Sequence, residues 1–270
     1  MKRIILFRYH KDFELIKQRV KLIRLINPEV SVHGLYGGEI NADGLSELEN
    51  DCLDSNYTLT ETDSEKKWMH ADVQYIEWYK KHGQDLEFDW LHVVEWDLLM
   101  LDRIENLYPL LMADEVPCTG LIELKEIEKT WYWGRNEMRR QELDKLVKYF
   151  NNNLPNDFKL YGMLGPGVTF SRYVMQKLSE LEFPVTDINE ELRIPVLIQM
   201  ISCKLTDTKF YRKWFSSSEE KIFNATGKDI KLKTIEKELK KKGGRRVFHP
   251  YRDYIDADNL YKLYTENSSI

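Results

Sequence analysis

The sequence predicts an open α/β fold built on a mostly parallel sheet. Three observations point there. The chain opens with an apolar run, an amphipathic stretch and a second apolar run. A further amphipathic stretch then leads into a longer apolar run at residues 90–101. Finally, 270 residues that are 42% hydrophobic and 12% aromatic supply a large core, which sets the chain apart from disordered sequences.

Taken in order, "RIILFRYH" reads as a buried strand, short, apolar and β-branched at its start. Asp12 stands as the N-cap of a helix whose Phe13, Ile16, Val20 and Ile23 recur at helical spacing. Asn27-Pro28 stops that pattern, and "EVSVHGLYGG" is a second strand closing in a Gly-Gly turn. Strand, helix and strand make a βαβ unit, hence a parallel pair with a right-handed crossover. Residues 39–66 are polar and acidic and read as irregular. "KKWMHADVQYIEWYKKHG" fits one helix, with Trp68, Ala71, Tyr75, Trp78 and Tyr79 on a face and Gly83 as C-cap. "WLHVVEWDLLML" follows as the next strand. Later come one or two partly antiparallel strands in "CTGLIELKEIEKTWYW" and a polar helix in "NEMRRQELDKLVKYFNNN". A glycine-rich turn, a short strand and a helix from about Ser171 follow. "TDINEELRIPVLIQMISCKL" is an apolar helical segment with acids at its start. From about Asp207 the chain turns aromatic and then basic. The expected partition is a main domain over 1–206 and a C-terminal extension over 207–270 that packs on it and closes the site.

Charge and cysteine content remove several function classes. Forty basic against forty-five acidic residues give −5, no signal for a nucleic-acid partner. Cys52, Cys118 and Cys203 are too few and too scattered for a disulfide framework or a thiolate zinc site. The apolar stretch in "MKRIILFRYHKD" is too short for a signal peptide, and no run reaches the ~18 apolar residues of a membrane span. The expected compartment is the reducing cytoplasm.

Two acids interrupt the apolar run at 90–101. In an ideal strand Glu95 and Asp97, at i and i+2, share a face. Two like charges in one cleft need a cation, and a hard divalent ion with oxygen ligands meets that need while leaving positions for phosphate. The competing reading is one solvated strand-end acid beside one salt-bridged acid. Ligands of open α/β sheets gather at the carboxyl ends of strands, which is where these acids fall.

The order of motifs resembles the GT-A glycosyltransferases. An N-terminal βαβ unit, the acid-x-acid triplet, "GPGVTFSR", "NEELRIP" and a late "FHP" together carry the resemblance over most of residues 1–250. It implies a Rossmann-like three-layer α/β/α fold with a mostly parallel mixed sheet. It further implies Mn2+ or Mg2+ at the triplet, holding the diphosphate of a nucleotide sugar. Glu95 departs from the family's usual first Asp, leaving Asp97 as the direct ligand and Glu95 for ribose, a metal-bound water or the metal itself. His249 occupies the late position where the family completes its metal shell, and imidazole suits Mn2+. Arg245 and Arg246 would neutralise the leaving diphosphate by charge-assisted hydrogen bonds.

The resemblance also places an acceptor-side base in "NEELRIP", at Glu191 or else Glu190, as an inverting reaction requires. Acids at a helix start also complement its dipole, and retaining chemistry needs no such base. The nucleotide would lie over Arg8, Tyr9 and His10 at the end of the first strand and Tyr36, Gly37 and Gly38 at the end of the second. Tyr9 or Tyr36 would stack on the base, and Asp72 would reach base or ribose. Gly165 and Gly167 would line the sugar or acceptor pocket by backbone. Trp131 and Trp133 would offer an aromatic face to a sugar, core packing being the competing reading. The activity so implied is sugar transfer to a glycan or lipid-linked acceptor. The charge of the basic C-terminal stretch permits peripheral membrane contact, although the run from Lys237 to Lys242 reads first as a solvated helix face. Two rival readings are a nucleotidyltransferase that makes the nucleotide sugar and a non-catalytic module for anionic surfaces. "FRYHKDFE" lacks the glycine-rich basic signature that the first rival needs.

Overall fold

The structure, a computed structural model, describes residues 1–10, 12–39 and 42–268. It is a mixed α/β protein whose main sheet is mostly parallel, the class the alternating pattern predicts. The strands, in chain order, are β1 (Arg3–Tyr9), β2 (Ser31–Tyr36), β3 (Ser55–Thr58), β4 (Trp90–Glu95) and β5 (Leu99–Met100). Then come β6 (Glu115–Glu123), β7 (Tyr161–Leu164), β8 (Thr169–Ser171), β9 (Lys204–Asp207) and β10 (Val247–Phe248). The chain divides into two compact units. One comprises Arg3–Thr58, His92–Leu110 and Thr208–Ile270, and the other Met1–Lys2, Leu59–Leu91 and Leu111–Asp207.

The first unit is built on β1. Ile4, Ile5, Leu6 and Phe7 are all buried, so the strand reads as a continuous apolar run rather than an alternation. Asp12 caps the next helix, Phe13–Ile26, by accepting from Leu15 N at 3.3 Å. Leu15, Ile16, Val20, Leu22, Ile23 and Ile26 form its buried stripe. Asn27 ends it, and its Oδ1 accepts from Ile104 N at 2.7 Å. β1 and β2 pair in parallel from Ile4↔Ser31 to Tyr9↔Tyr36. β4 lies on the other side of β1, with Trp96 N donating to Arg8 O at 2.9 Å just past its end.

Two expectations change here. Residues 39–66 are not irregular: a helix spans Leu45–Cys52, β3 pairs in parallel with β2, and a further helix starts at Ser64. Residues 40 and 41 lie outside the described residues. The helix buries only Leu45 and Leu48, and β3 is "SNYT", so neither carries a periodic apolar signal. The segment from Thr208 packs into the first unit. Its Ile235, Leu239, Phe248, Tyr251 and Leu260 form one core with Leu22, Ile26, Leu99 and Leu101. Each large apolar side chain buried there contributes roughly 1.5–3 kcal/mol, enough for the tail to help hold the first unit together. The strand expected over 90–101 is also broken: β4 stops at Glu95, and β5 begins only at Leu99.

In the second unit β6 pairs antiparallel with β7 and parallel with β9. The helix expected as one piece over 66–83 is two, Ser64–Met69 and Ala71–Lys81, joined at His70. Gly83 follows the second rather than capping it. A Cβ at Gly83 would lie 2.7 Å from the Trp78 ring, so the residue is needed for space. Among the described residues no helix is long and apolar enough to cross a membrane.

Candidate metal centre

The break after Glu95 makes the site. Leu98 N donates to Glu95 O at 2.9 Å, closing a tight turn that carries Trp96 and Asp97. The acids therefore do not share a strand face; one ends β4 and the other sits in the turn beyond. β10 then pairs antiparallel with β5, Val247 opposite Met100 and Phe248 opposite Leu99. Leu101 N to Arg246 O at 2.7 Å and Tyr251 N to Asp97 O at 2.8 Å extend the pairing at both ends. That register sets His249 beside Asp97. The His249 backbone is held in turn, its N donating to Ile222 O at 3.2 Å and its O accepting from Asn224 N at 2.9 Å.

Arg19 fastens the two turns together. It sits in the buried stripe of the first helix and is itself only 2% exposed. Its guanidinium donates to Trp96 O at 3.3 Å, Tyr251 O at 3.0 Å and Asp253 O at 2.8 Å. One buried cation thus serves three backbone carbonyls.

Glu95, Asp97 and His249 each offer one ligand atom, and these atoms all lie within 4.8 Å of one another. Asp97 Oδ1 is 3.7 Å from His249 Nε2, and Asp97 Oδ2 accepts from Arg252 Nε at 3.1 Å. Arg252 is anchored by Asp229 at 2.8 Å and Gly227 O at 2.9 Å. Glu95 Oε1 accepts from Arg8 at 3.0 Å. Burial pushes the Asp97 carboxyl up, while Arg252 pulls against it. Burial holds the His249 imidazole down to about 4, so it is neutral at neutral pH with a lone pair to give. Among the described residues, neither Asp97 Oδ1 nor His249 Nδ1 has a hydrogen-bond partner, though both are buried. A buried, half-satisfied carboxylate is costly. A divalent cation would relieve it, and two carboxylates with a neutral imidazole are donors that suit Mn2+. The residues present fit such an ion.

Of the other expected residues in this unit, Arg8 reaches the group through Glu95, and His10 is exposed with its ring edge-on to Trp96 at 5.3 Å. The tyrosines are corrected. Tyr9 and Tyr36 are each 1% exposed, pack on each other at 5.0 Å and have no face to lend a base. Tyr9 Oη donates to Asn56 at 3.1 Å instead. Gly37 N donates to Tyr9 O at 2.8 Å, and a Cβ at Gly38 would collide with the Tyr36 hydroxyl. Arg245 and Arg246 are corrected too. Arg245 grips both Glu219 oxygens, at 3.1 and 3.2 Å, and also donates to Phe210 O. Arg246 donates to Glu238 O and Leu239 O at the end of the Leu232–Leu239 helix, whose last carbonyls lack intrahelical donors. Both arginines serve the fold in this arrangement.

In the second unit Asp72 is corrected from a ribose contact to half of a buried ion pair. Its Oδ1 and Oδ2 accept from Arg193 at 2.6 and 2.7 Å. Trp131 and Trp133 do not offer a sugar face, because both are buried. Trp131 stands at the N-cap position of a short helix (Tyr132–Arg135) with its ring against Gly162, and Trp133 packs on Trp68 at 5.3 Å. The glycine turn and the acidic helix start do come together. Gly165 N donates to Glu191 Oε1 at 2.9 Å, and a Cβ on Gly165 would lie 3.0 Å from Glu190 Oε1. Gly167 takes φ 86, a conformation that favours glycine.

Sequence reasoning missed Arg19 and Arg252. Arg19 had a signal: a cation at a core position of an apolar stripe, which folds bury only to hold carbonyls or acids. Arg252 lies three residues past His249, and nothing distinguished it from the other basic residues nearby.

No protein-family model matches the chain, and no curated protein matches it. Among solved structures it is similar to the galactosyltransferase LgtC in complex with donor and acceptor sugar analogs. That match has 10% identity and a TM-score of 0.46 and covers 99% of this chain and 97% of the other. An active-site mutant of LgtC matches with the same values. The apo-form glycosyltransferase GlyE of Streptococcus pneumoniae TIGR4 is similar at 13% identity and a TM-score of 0.32, covering 58% of this chain and 41% of its own.

Proposed function

We propose that the protein is a metal-dependent glycosyltransferase that moves a sugar from a nucleotide-diphosphate sugar to a hydroxyl of a glycan or glycolipid. The observation that carries this reading is the Glu95–Asp97–His249 group at the carboxyl end of β4, with a buried carboxylate oxygen lacking a partner. Asp97 and His249 would hold Mn2+ or Mg2+, with Glu95 completing the set. The ion, when bound, supplies Lewis-acid charge to the leaving diphosphate and a template for it.

The chain's own residues do the rest. Arg19 fixes the 96–97 turn against the 251–253 segment, so the ligand atoms are preorganised and do not have to be gathered on binding. The neutral His249 gives its lone pair without first losing a proton. Glu191, or else Glu190, takes the proton of the acceptor hydroxyl if the reaction inverts; retaining chemistry dispenses with that role. The exposed Lys240, Lys241 and Lys242 supply charge for contact with an anionic membrane surface that carries a lipid-linked acceptor.

A thermal-shift panel of UDP-, GDP-, CMP- and TDP-sugars, with and without Mn2+, tests the reading. One nucleotide class should stabilise the wild type when Mn2+ is present, by ~2.7 kcal/mol at a hundredfold excess over Kd. Asp97→Asn should lose that response and the transfer activity while remaining folded. An Asp97→Asn protein with normal Mn2+ response and activity contradicts the reading.

A further inference from the structure

Each carboxylate of the proposed metal group already has its own cation. Arg8 stands 3.0 Å from Glu95, and Arg252 stands 3.1 Å from Asp97. Two formal negative charges therefore face two guanidinium groups, with the Arg19 charge close behind the turn. A bare divalent cation entering this cluster would displace or oppose positive charge at every step. An anion that arrives with the cation changes the balance, because it gives the displaced guanidinium groups a new partner. The two arginines differ in freedom. The Arg8 side chain is 16% exposed, whereas that of Arg252 is 37% exposed. Arg252 also keeps Asp229 and Gly227 O as anchors when it lets go of Asp97.

We infer that Arg252 is an exchangeable counter-ion: it holds Asp97 until a diphosphate binds and then hands that carboxylate to a divalent cation. The inference rests on the proposed cation site and adds a property to it. Cation and diphosphate bind with positive coupling, each weakly alone, and Arg252 is the source of the coupling. Such coupling is reciprocal, so it is measurable from either ligand.

Isothermal titration of Mn2+ into the protein, alone and with excess UDP, tests this once Mn2+–UDP association has been measured separately and subtracted. The wild type should bind Mn2+ about tenfold more tightly with UDP, within the usual range of coupling between two ligands. Arg252→Gln should bind Mn2+ more tightly than wild type when UDP is absent, and UDP should then add little. Arg252→Lys, which keeps the charge, should restore most of the coupling. Asp97→Asn should lose Mn2+ binding in both conditions. If Asp97→Asn binds Mn2+ as the wild type does, the metal site itself is wrong and the inference falls with it. If Asp97→Asn loses Mn2+ while Arg252→Gln matches wild type in both titrations, the counter-ion role alone is overturned.

Discussion

Asp72 and Asp97 are both buried aspartates facing an arginine, and they are satisfied in different ways. Asp72 gives both oxygens to Arg193, which is itself fully buried and also donates to Thr186 O and Ile188 O. Every strong group there has a partner. Asp97 gives one oxygen to a part-exposed Arg252, and the other faces His249 across 3.7 Å with no hydrogen bond. The first pair is closed, so nothing can be added to it. The second is open on the side where an imidazole and a second carboxylate converge. A buried ion pair says little about function until its remaining lone pairs are counted.

The largest effect should come from breaking the closed pair. Asp72→Asn or Arg193→Met leaves an uncompensated charge or donor in the interior and should cost ~3–5 kcal/mol, read from urea denaturation. Asp97→Asn should change stability by less than ~1 kcal/mol, since the lost partner is part-exposed and burial already disfavours the ionised carboxylate. Equal losses at Asp72 and Asp97 would erase the distinction between the two pairs.

A smaller effect concerns pH. His249 is held down to about 4, whereas an unfolded imidazole titrates near 6.5. Between those values the unfolded chain binds the proton and the folded chain does not. Stability is therefore fully present above ~6.5 and declines as pH falls toward 4. Asp97, with its carboxyl raised, contributes in the opposite sense just above its unfolded value, so the useful quantity is a difference between proteins. His249→Gln in chelator-treated samples should flatten the acid decline by ~1–3 kcal/mol. A parallel decline in both proteins would mean that His249 is not buried as described.

How much of this was legible depends on whether a feature leaves a periodic trace. The β1 run and the stripe of the following helix did, as did the N-cap at Asp12, because burial on a regular element repeats in sequence. The Leu45–Cys52 helix and the polar β3 did not, because few of their residues are buried. The candidate site was half legible. Glu95 and Asp97 stood out as acids in an apolar run, whereas His249 was reached only through the resemblance, its flanks "GGRRV" and "PYRDY" being mostly polar. The turn that separates the acids was invisible, since "EWDLLML" continues the apolar pattern of the strand. The fates of Arg245, Arg246, Tyr9 and Tyr36 depend on tertiary partners such as Glu219, the Glu238 carbonyl and Asn56. No local pattern encodes those partners.

The most direct measurement is anomalous diffraction at the manganese edge from crystals grown with Mn2+ and UDP. A single peak bonded to Asp97 and His249, with Glu95 beside it and Arg252 turned from Asp97 toward phosphate, is the predicted result. A map without manganese at these residues, with Arg252 still on Asp97 and nucleotide bound elsewhere, would contradict it.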